Sequence, residues 1–347
     1  GVQTCALPIC VGGANAAVSL SNIMERDSFI STMTAIINTY GFDGVDLDLE
    51  GSSLYLTGGT IASPVDASIV NLIYAVKQIM SNFFVVNGHK MMLTMAPETA
   101  FVQGGQSAYA GIWGVYLPVI DALRDSLDLL HVQLYNSGSM YGVDGGIYYQ
   151  GTADFIVAMC DAVIHGFNTN GGAFTGLPAQ KVAVGLPACQ MAAGGGYTNV
   201  DTVLSAINYL RGAGAKPGNY VLSSPSGYPN FGGMMTWSIN WDATNNCGSN
   251  YEYAQNFEDI FGATTAIDCS SINGDRIAVF PNPAMDVVFI RVNEKIETPI
   301  QLEIFNAMLE LVETKVINNS MGTICLTNYP PGLYLLNTGS SGVDRKS

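Results

Sequence analysis

The sequence predicts an α/β protein with a parallel sheet, followed by a smaller all-β domain. From Cys10 to about Thr264, short apolar runs alternate with segments of helical periodicity, the pattern of parallel strands joined by covering helices. From Arg276 onward the helical period is absent, and short runs of alternating apolar and polar residues replace it. We therefore expect a domain over 10–263, a linker over 264–275 and a second domain over 276–347.

Helices are expected where apolar residues recur at intervals of three and four. The first is predicted over Ser28–Tyr40, with Asp27 as its N-cap and Gly41 at its end. The second begins near Asp66. Further helical patterns cover residues 115–123, 155–164, 200–210 and 251–261.

The strands between these helices are short and apolar. They are predicted at Val45–Glu50, Met91–Ala96, Leu129–Leu134, Val182–Leu186 and Gly233–Ser238, with Val11–Gly13 as the end of a sixth. Each strand leads into a helix, which is typical of a (β/α)8 TIM barrel. Such a barrel has eight strands, so we expect a TIM barrel that lacks about its first two strands.

The first nine residues, GVQTCALPI, resemble the translation of a sequencing adapter. We exclude residues 1–9 from fold reasoning on that resemblance, as one would any non-native segment. Cys10 then lies at the junction. The natural protein is expected to begin further upstream, with a signal peptide.

Composition excludes some partners. The net charge of −15 comes from 28 acidic and 13 basic residues, which argues against electrostatic binding to nucleic acid or anionic lipid. No uninterrupted apolar run approaches the ~18 residues of a membrane span. We expect a monomer that spans no membrane.

The cysteines show no metal-binding spacing. Seven are scattered along the chain: Cys5, Cys10, Cys160, Cys189, Cys247, Cys269 and Cys325. Their spread predicts neither a zinc site nor a disulfide framework, and leaves a pair such as Cys247 with Cys269 open. Cys160, on the apolar side of a helix, is interpreted as a small buried hydrophobe.

Acidic residues are concentrated in one predicted strand, within the segment GFDGVDLDLEG at 41–51. Because side chains alternate along a strand, Asp46, Asp48 and Glu50 project to one face. Crowded carboxylates repel one another, so at least one is expected to hold a proton near neutral pH, as a general acid must. A calcium loop and a set of structural buried acids are the competing interpretations, but the run lacks the turn glycine and ligand intervals of a calcium loop.

The run Asp43-x-x-Asp46-x-Asp48-x-Glu50 resembles the D-x-x-D-x-D-x-E motif of glycoside hydrolase family 18, the chitinases and their relatives. Five further segments resemble family motifs in the family's order, each at a predicted strand end: Gly12-Gly13 with Asn15, then 95–98 (MAPE), 133–136 (QLYN), 185–188 (GLPA) and 233–242 (GMMTWSINWD). The family's serine before the first glycines would fall at Cys10. The resemblance covers about residues 10–262.

The resemblance implies a mechanism without an enzyme nucleophile, because the N-acetyl carbonyl of the substrate takes that role. Glu50 would act as acid and then base, while Asp48 would orient the acetamido group. Asp46 would share a proton with Asp48. Tyr135 would donate its hydroxyl to the N-acetyl oxygen, and Trp237 would form the floor beneath that sugar.

Weaker expectations attach to other motif residues. Candidates for lining the same subsite are Gln133, Asn136, Met95 and Asp242, and candidates for structural support are Asp43, Gly12 and Gly13. Trp241 is a candidate for stacking on a further sugar, whereas packing is the favoured interpretation of Trp113, which lies in a helix-like region. His131 shares strand parity with Gln133 and Tyr135, although a core histidine is the favoured interpretation. No metal or cofactor is implied.

The C-terminal domain carries a second resemblance. Its Pro281-Asn282-Pro283 turn and its Gly332-Leu333-Tyr334 run are similar to the type A sorting domain of the type IX secretion system. This implies a small immunoglobulin-like sandwich, a contact with that secretion machinery, and an extracellular or cell-surface location in a Gram-negative bacterium. An unassigned immunoglobulin-like linker or a carbohydrate-binding module is the alternative.

Together these resemblances predict a secreted chitinase that hydrolyses β-1,4 bonds in chitin or N-acetylglucosamine oligosaccharides. Two alternatives remain open. An endo-β-N-acetylglucosaminidase acting on N-glycans can share the acid motif, and a catalytically inactive chitin-binding lectin can share the fold. Such lectins typically lose the acid that is present here as Glu50.

Overall fold

The computed structural model describes residues 8–244, 248–262, 277–280, 287–292, 299–306, 310–319, 321–330, 332 and 334–338. The chain divides at residue 263 into two compact units. They are described separately below.

The first unit alternates strands and helices. Its strands are β1 (Pro8–Gly12), β2 (Gly44–Asp48), β3 (Met92–Met95), β4 (Leu129–Gln133), β5 (Ser139–Tyr141), β6 (Ile147–Tyr149), β7 (Gly166–Thr169), β8 (Gly172–Thr175), β9 (Val182–Pro187) and β10 (Gly233–Trp237). Its helices are α1 (Ile23–Tyr40), α2 (Ala67–Asn87), α3 (Leu117–Leu123), α4 (Ala153–His165), α5 (Val200–Leu210), α6 (Ile239–Asp242) and α7 (Glu252–Phe261).

Six of these strands form one parallel sheet in the order β1-β2-β3-β4-β9-β10. Each βα step therefore places its strand beside the previous one, as in a (β/α) barrel. The strands β5 with β6 and β7 with β8 form two antiparallel hairpins that the sequence pattern did not predict. The main core lies between the sheet and its helices.

The predicted start of α1 is wrong by five residues, since the helix begins at Ile23 rather than Ser28. Asn22 is the N-cap, and its side chain accepts a hydrogen bond from the amide of Glu25. The Glu25 carboxylate in turn accepts the amide of Ser21 at 2.7 Å. Polar side chains near a helix start thus capture unpaired backbone amides, and they do so earlier here than apolar periodicity indicates.

The strand β1 begins at Pro8, so it includes two residues of the segment predicted to be non-native. Pro8 and Ile9 lie in register with Gly44 and Val45 of β2. The proposed boundary at residue 10 stays a prediction.

Among the described residues, α2 alone has the length and apolar composition of a membrane span. Seven of its residues are buried within the unit: Ile69, Asn71, Leu72, Ala75, Val76, Ile79 and Phe83. The helix packs against α1 and α3. Its apolar content is therefore that of a helix with one face in a core.

The backbone of β2 near its acidic residues is fixed by contacts with β1 on one side and with a core tyrosine on the other. Gly12, at φ 114°, brings β1 so close that an added Cβ would lie 2.1 Å from the carbonyl oxygen of Asp48. The amide of Gly13 donates to that oxygen at 2.6 Å. On the core side, the buried Tyr116 hydroxyl accepts the amide of Leu49 at 2.8 Å and lies 3.3 Å from the carbonyl of Leu47. Only glycine permits this close approach at residue 12.

The second unit is all-β in its described part. Its strands are β11 (Ile277–Phe280), β12 (Val287–Val292), β13 (Ile300–Asn306), β14 (Leu311–Ile317), β15 (Met321–Cys325) and β16 (Tyr334–Thr338). They form two antiparallel sheets, in the orders β11-β12-β15 and β14-β13-β16. Buried residues of both sheets, including Ile290 and Ile304, share one apolar cluster. An immunoglobulin-like topology stays a prediction.

One cysteine departs from expectation. Cys189, directly after β9, is disulfide-bonded, although the cysteine spacing predicted no disulfide framework. The suggested pair, Cys247 with Cys269, lies outside the described residues. Cys160 is buried in α4, as predicted for a small apolar residue.

Candidate active site

The carboxylates of Asp46 and Asp48 on β2 and of Glu50, two residues beyond its end, lie together at the C-terminal edge of the parallel sheet. One amide connects two of them. The side-chain nitrogen of Gln133, at the end of β4, lies 2.8 Å from Asp48 Oδ1 and 2.8 Å from Glu50 Oε1. It also lies 2.9 Å from the carbonyl oxygen of Ala96. Gln133 was predicted to bind substrate. Its amide holds the two acids in place, and substrate binding by Gln133 stays a prediction.

Asp46 is the most buried of the three acids and is surrounded by donors. Thr94 Oγ1 donates to its Oδ1 at 2.5 Å, and His131 Nε2 lies 3.1 Å from the same atom. Burial alone would raise the pKa of Asp46, but the hydrogen bonds from His131, Thr94 and Cys10 together lower it. Asp46 therefore keeps its charge at neutral pH.

Asp48 has the opposite tendency. Burial, the negative charge of Glu50, a hydrogen bond to Glu50 and the charge of Asp46 raise its pKa to about 8, against a smaller opposing effect of Gln133. Asp48 therefore holds a proton at neutral pH, in hydrogen-bond contact with Glu50. Asp46 and Asp48 lie two residues apart on the same face of β2, yet Asp46 is ionised and Asp48 is protonated.

The Cys10 thiol lies beside these acids. Its sulfur is 4.0 Å from Asp48 Oδ2, and Cys10 is the register partner of Asp46 on β1. Burial and the nearby carboxylates raise the pKa of Cys10. The thiol therefore stays neutral and acts as a weak hydrogen-bond donor.

Tyr135 follows β4 and is buried next to the acids. Burial first, and then the charges of Asp48 and Glu50, raise the pKa of its hydroxyl, so it stays a neutral donor. The next residue, Asn136, adopts a left-handed conformation with φ 53°. Its side-chain oxygen accepts the amide of Gly195, and its own amide donates to the Gly195 carbonyl, both at 3.1 Å. Asn136 thereby fixes the loop after β9, and substrate binding by it stays a prediction.

Trp237 lies at the C-terminal end of β10, on the same edge of the sheet as the acids. Its side chain is 53% exposed, and the peptide bond to Ser238 is cis. An exposed indole at a strand end offers a flat apolar surface to a ligand. The predicted contact with a sugar remains untested.

Three other predicted site residues have structural contacts. Met95 is fully buried in the core, which does not favour a direct contact with substrate. Both Asp242 carboxylate oxygens accept backbone amides at the start of α7, from Tyr253 and Ala254. Asp43 precedes β2, and its carbonyl accepts the amide of Met92. Roles for these residues in substrate binding or support stay predictions.

Sequence reasoning missed two residues and undervalued a third. Thr94 is the register partner of Asp46 on β3, which strand pairing alone would have revealed. Glu98 Oε1 accepts the amide of Gly51 at 3.1 Å, so another carboxylate lies next to the Glu50 backbone. His131, for which a core histidine is the favoured interpretation, contacts Asp46, and its buried Nδ1 has no partner among the described residues.

A parallel α/β sheet with carboxyl groups gathered at the C-terminal ends of its strands is the arrangement in which the class of (β/α) barrel enzymes places its acid–base groups. Comparison with known sequences is consistent with that class. The model of "Glycosyl hydrolases family 18" matches residues 5–246. The chain belongs to glycosyl hydrolase family 18. A second model, "Secretion system C-terminal sorting domain", matches residues 278–346.

Curated relatives carry the names of chitinases. Chitinase D of Niallia circulans is 51% identical over 249 residues, which are 70% of this chain and 47% of that protein. Chitinase ChiA of Flavobacterium johnsoniae is 38% identical over 331 residues, or 90% of this chain and 20% of that protein. The chain thus spans about half or less of the length of these relatives.

A solved structure supports the architecture. The family GH18 chitinase from Chromobacterium violaceum superposes with a TM-score of 0.65 at 36% identity, covering 73% of this chain and 64% of that one. The first unit therefore has a TIM-barrel-like α/β fold.

The raised pKa of Asp48 predicts a pH-dependent cost to stability. Between about pH 4, where an unfolded aspartate ionises, and pH 8, the folded state binds this proton while the unfolded chain releases it. The Asp48 contribution to stability is thus present at low pH and falls as pH rises. Asp48→Asn has no such proton, so we expect it to raise Tm by a few degrees at pH 8 relative to the unmodified protein, and by less at pH 4.

Thermal denaturation at both pH values measures this difference. Asp27→Asn is the matched control, because Asp27 is an exposed acid paired only with Arg26 among the described contacts. An Asp48→Asn effect on Tm that is equal at the two pH values would contradict the raised pKa.

Proposed function

We propose that the protein is a secreted chitinase that hydrolyses β-1,4 bonds between N-acetylglucosamine units, with Glu50 as acid and base. The observation that carries this proposal is the hydrogen-bonded pair of Asp48 and Glu50, joined through Gln133 in a family 18 barrel. The pair supplies a proton close to neutral pH. Family membership and the chitinase names of the relatives support the substrate class.

The proton follows a short route in this mechanism. Asp48 holds it in the resting site, and the hydrogen bond between the two carboxyls makes it available to Glu50. Glu50 delivers it to the glycosidic oxygen as the bond to the anomeric carbon breaks. The carbonyl oxygen of the substrate's N-acetyl group forms the new bond to that carbon, giving a positively charged oxazolinium ion.

The carboxylates around the site stabilise that positively charged intermediate. Once its proton has passed to Glu50, Asp48 is a carboxylate beside the developing positive charge, and Asp46 is already ionised. The neutral hydroxyl of Tyr135 can donate to the N-acetyl oxygen and hold it for attack. Glu50, now ionised, then accepts a proton from the water that opens the oxazolinium ring. The product keeps its anomeric configuration.

Cleavage assays distinguish this proposal from its two alternatives. The purified protein is incubated with an N-acetylglucosamine hexamer and with a high-mannose glycoprotein, beside Glu50→Gln and the control Glu258→Gln on α7. We expect cleavage of the hexamer, a loss of at least about 10²–10⁴-fold in Glu50→Gln because the general acid is gone, and unchanged activity in the control.

Other outcomes would overturn the proposal. Release of glycan from the glycoprotein without hexamer cleavage would indicate an endo-β-N-acetylglucosaminidase. Hexamer binding by a folded protein that cleaves neither substrate would indicate a lectin.

We further propose that the second unit directs export to the cell surface or medium through the type IX secretion machinery. The sorting-domain match over residues 278–346 supports this role. Both chains are given the same N-terminal signal peptide and expressed in a Gram-negative bacterium that carries this machinery. The intact chain is then expected outside the cell, whereas a chain ending at residue 275 is expected to remain in the periplasm. Equal export of both chains, measured by immunoblotting of cell fractions, would contradict the proposal.

A further inference from the structure

The hairpin that follows the active-site end of β4 has two unlike faces. Its strands pair in the register Ser139 with Tyr149, Met140 with Tyr148, and Tyr141 with Ile147. Because side chains alternate along a strand, Met140 and Tyr148 share one face. Tyr141, Ile147 and Tyr149 share the other, together with Ser139. We call these the inner and outer faces of the hairpin.

The inner face is fixed against the barrel. Met140 is buried, and the ring of Tyr148 meets the ring of Tyr220 edge-on at 5.1 Å. The Tyr220 hydroxyl donates to the buried carboxylate of Asp161 on α4 at 2.5 Å. Two hydroxyl groups, those of Ser223 and Tyr228, also donate to Asp161. The hairpin therefore stands on a rigid support rather than on a loose loop.

The base of the hairpin is tied to the catalytic strand end. The amide of Ser137 donates to Gln150 Oε1 at 2.7 Å, and the amide of Gln150 donates to the carbonyl of Gly138 at 2.9 Å. The Ser137 hydroxyl lies 2.8 Å from the carbonyl of Tyr135. The hairpin thus begins six residues after Gln133, whose amide holds Asp48 and Glu50.

The outer face is apolar and open. Tyr141 is 40% exposed, Ile147 is 51% exposed and Tyr149 is 64% exposed. Directly opposed and diagonal side chains on one face of a two-stranded ladder lie within about 8 Å of one another, so the three form one continuous strip. Neighbouring exposed apolar side chains of this kind commonly mark a binding surface.

The chemistry of the strip matches one occupant. In a β-1,4-linked N-acetylglucosamine chain the ring substituents are equatorial, so both faces of each sugar present bare C–H groups. Tyrosine rings stack on such faces through their negatively polarised surface, and their hydroxyl groups remain in water. Three side chains are too few for a stable protein interface, which buries about 800 Å² on each partner.

We propose that the outer face of this hairpin is a binding subsite for sugar rings of the substrate chain outside the cleavage centre. The inference rests on the proposed function for its substrate class. The hairpin follows the Gln133–Tyr135 strand end and is tied to it through Ser137, so we expect the strip beside the path of a bound chain. The support beneath the hairpin keeps the strip ordered before binding, so little entropy is lost when the sugar docks.

The test compares long and short substrates. Tyr141→Ala/Tyr149→Ala is assayed for hydrolysis of the hexamer and of an aryl glycoside of N,N′-diacetylchitobiose, which is too short to fill additional sugar subsites. We expect kcat/KM for the hexamer to fall about 5- to 100-fold, because both aromatic stacking surfaces are lost. The aryl glycoside should be affected by less than about twofold.

Two further variants separate stacking from other effects. Tyr141→Phe/Tyr149→Phe keeps both rings and is expected to retain hexamer activity, whereas loss here would assign binding to the hydroxyl groups. Tyr74→Ala on α2 removes an exposed tyrosine outside the strand-end loops and is expected to change neither substrate. Equal losses on both substrates, or none on either, would overturn the subsite.

Binding measured by calorimetry distinguishes failure of the subsite from failure of the proposed function. If the unmodified protein cleaves neither substrate but binds the hexamer, and the double alanine variant binds it about 5- to 100-fold more weakly, the chitinase proposal fails and the hairpin subsite stands. Hexamer affinity that is unchanged in the double alanine variant overturns the subsite whether or not the protein is an enzyme.

Discussion

Three carboxyl groups at alternate positions of one segment, β2 and the two residues after it, are the constraint on which the rest of the site depends. The strand repeat sets the spacing of Asp46 and Asp48, which cannot move apart without breaking β2. The Gln133 amide holds Glu50 beside them. Their mutual repulsion must therefore be relieved by a proton or by donors. Hydrogen-bond donors on β3 and β4 relieve the repulsion at Asp46, and a bound proton relieves it at Asp48.

The pKa of Asp46 is lowered and the pKa of Asp48 is raised. Deep in the sheet, Thr94 and His131 donate to Asp46 and keep it ionised in spite of its burial. One step nearer the edge, Asp48 lies between two negative neighbours and takes up a proton. Environments that push the pKa values of paired titratable groups apart are how one fold assigns acid and base roles at neutral pH. Glu50, at the outer end, is the acid that this arrangement serves.

Much of this arrangement could be predicted from the sequence. Strand parity placed the three acids on one face, and the spacing of apolar runs placed most helices and all six parallel strands within a few residues of their observed bounds. Those features depend on local repeats that a single chain displays directly. The order of motifs then indicated that the strand ends meet at one edge.

Features that depend on contacts distant in sequence were not predictable in the same way. The link between His131 and Asp46 requires the lateral position of β4 relative to β2, which strand parity does not give. The hairpin of β5 and β6 has only short strands around the Asp144-Gly145-Gly146 turn, too few residues for a clear alternating pattern. Its support by Tyr220 joins residues 72 positions apart. The early start of α1 depends on side-chain capping that periodicity does not register.

The central claim, that neighbouring aspartates of β2 hold opposite protonation states, is tested most directly by titrating the carboxyl carbons. Protein labelled with 13C at aspartate and glutamate side chains would be followed by NMR across pH, with Asp46→Asn and Asp48→Asn used to assign the two signals. The account predicts that the Asp48 signal titrates near pH 8 and that the Asp46 signal titrates below the ordinary aspartate value. Two signals that both titrate near pH 4, the ordinary range for aspartate, would contradict it.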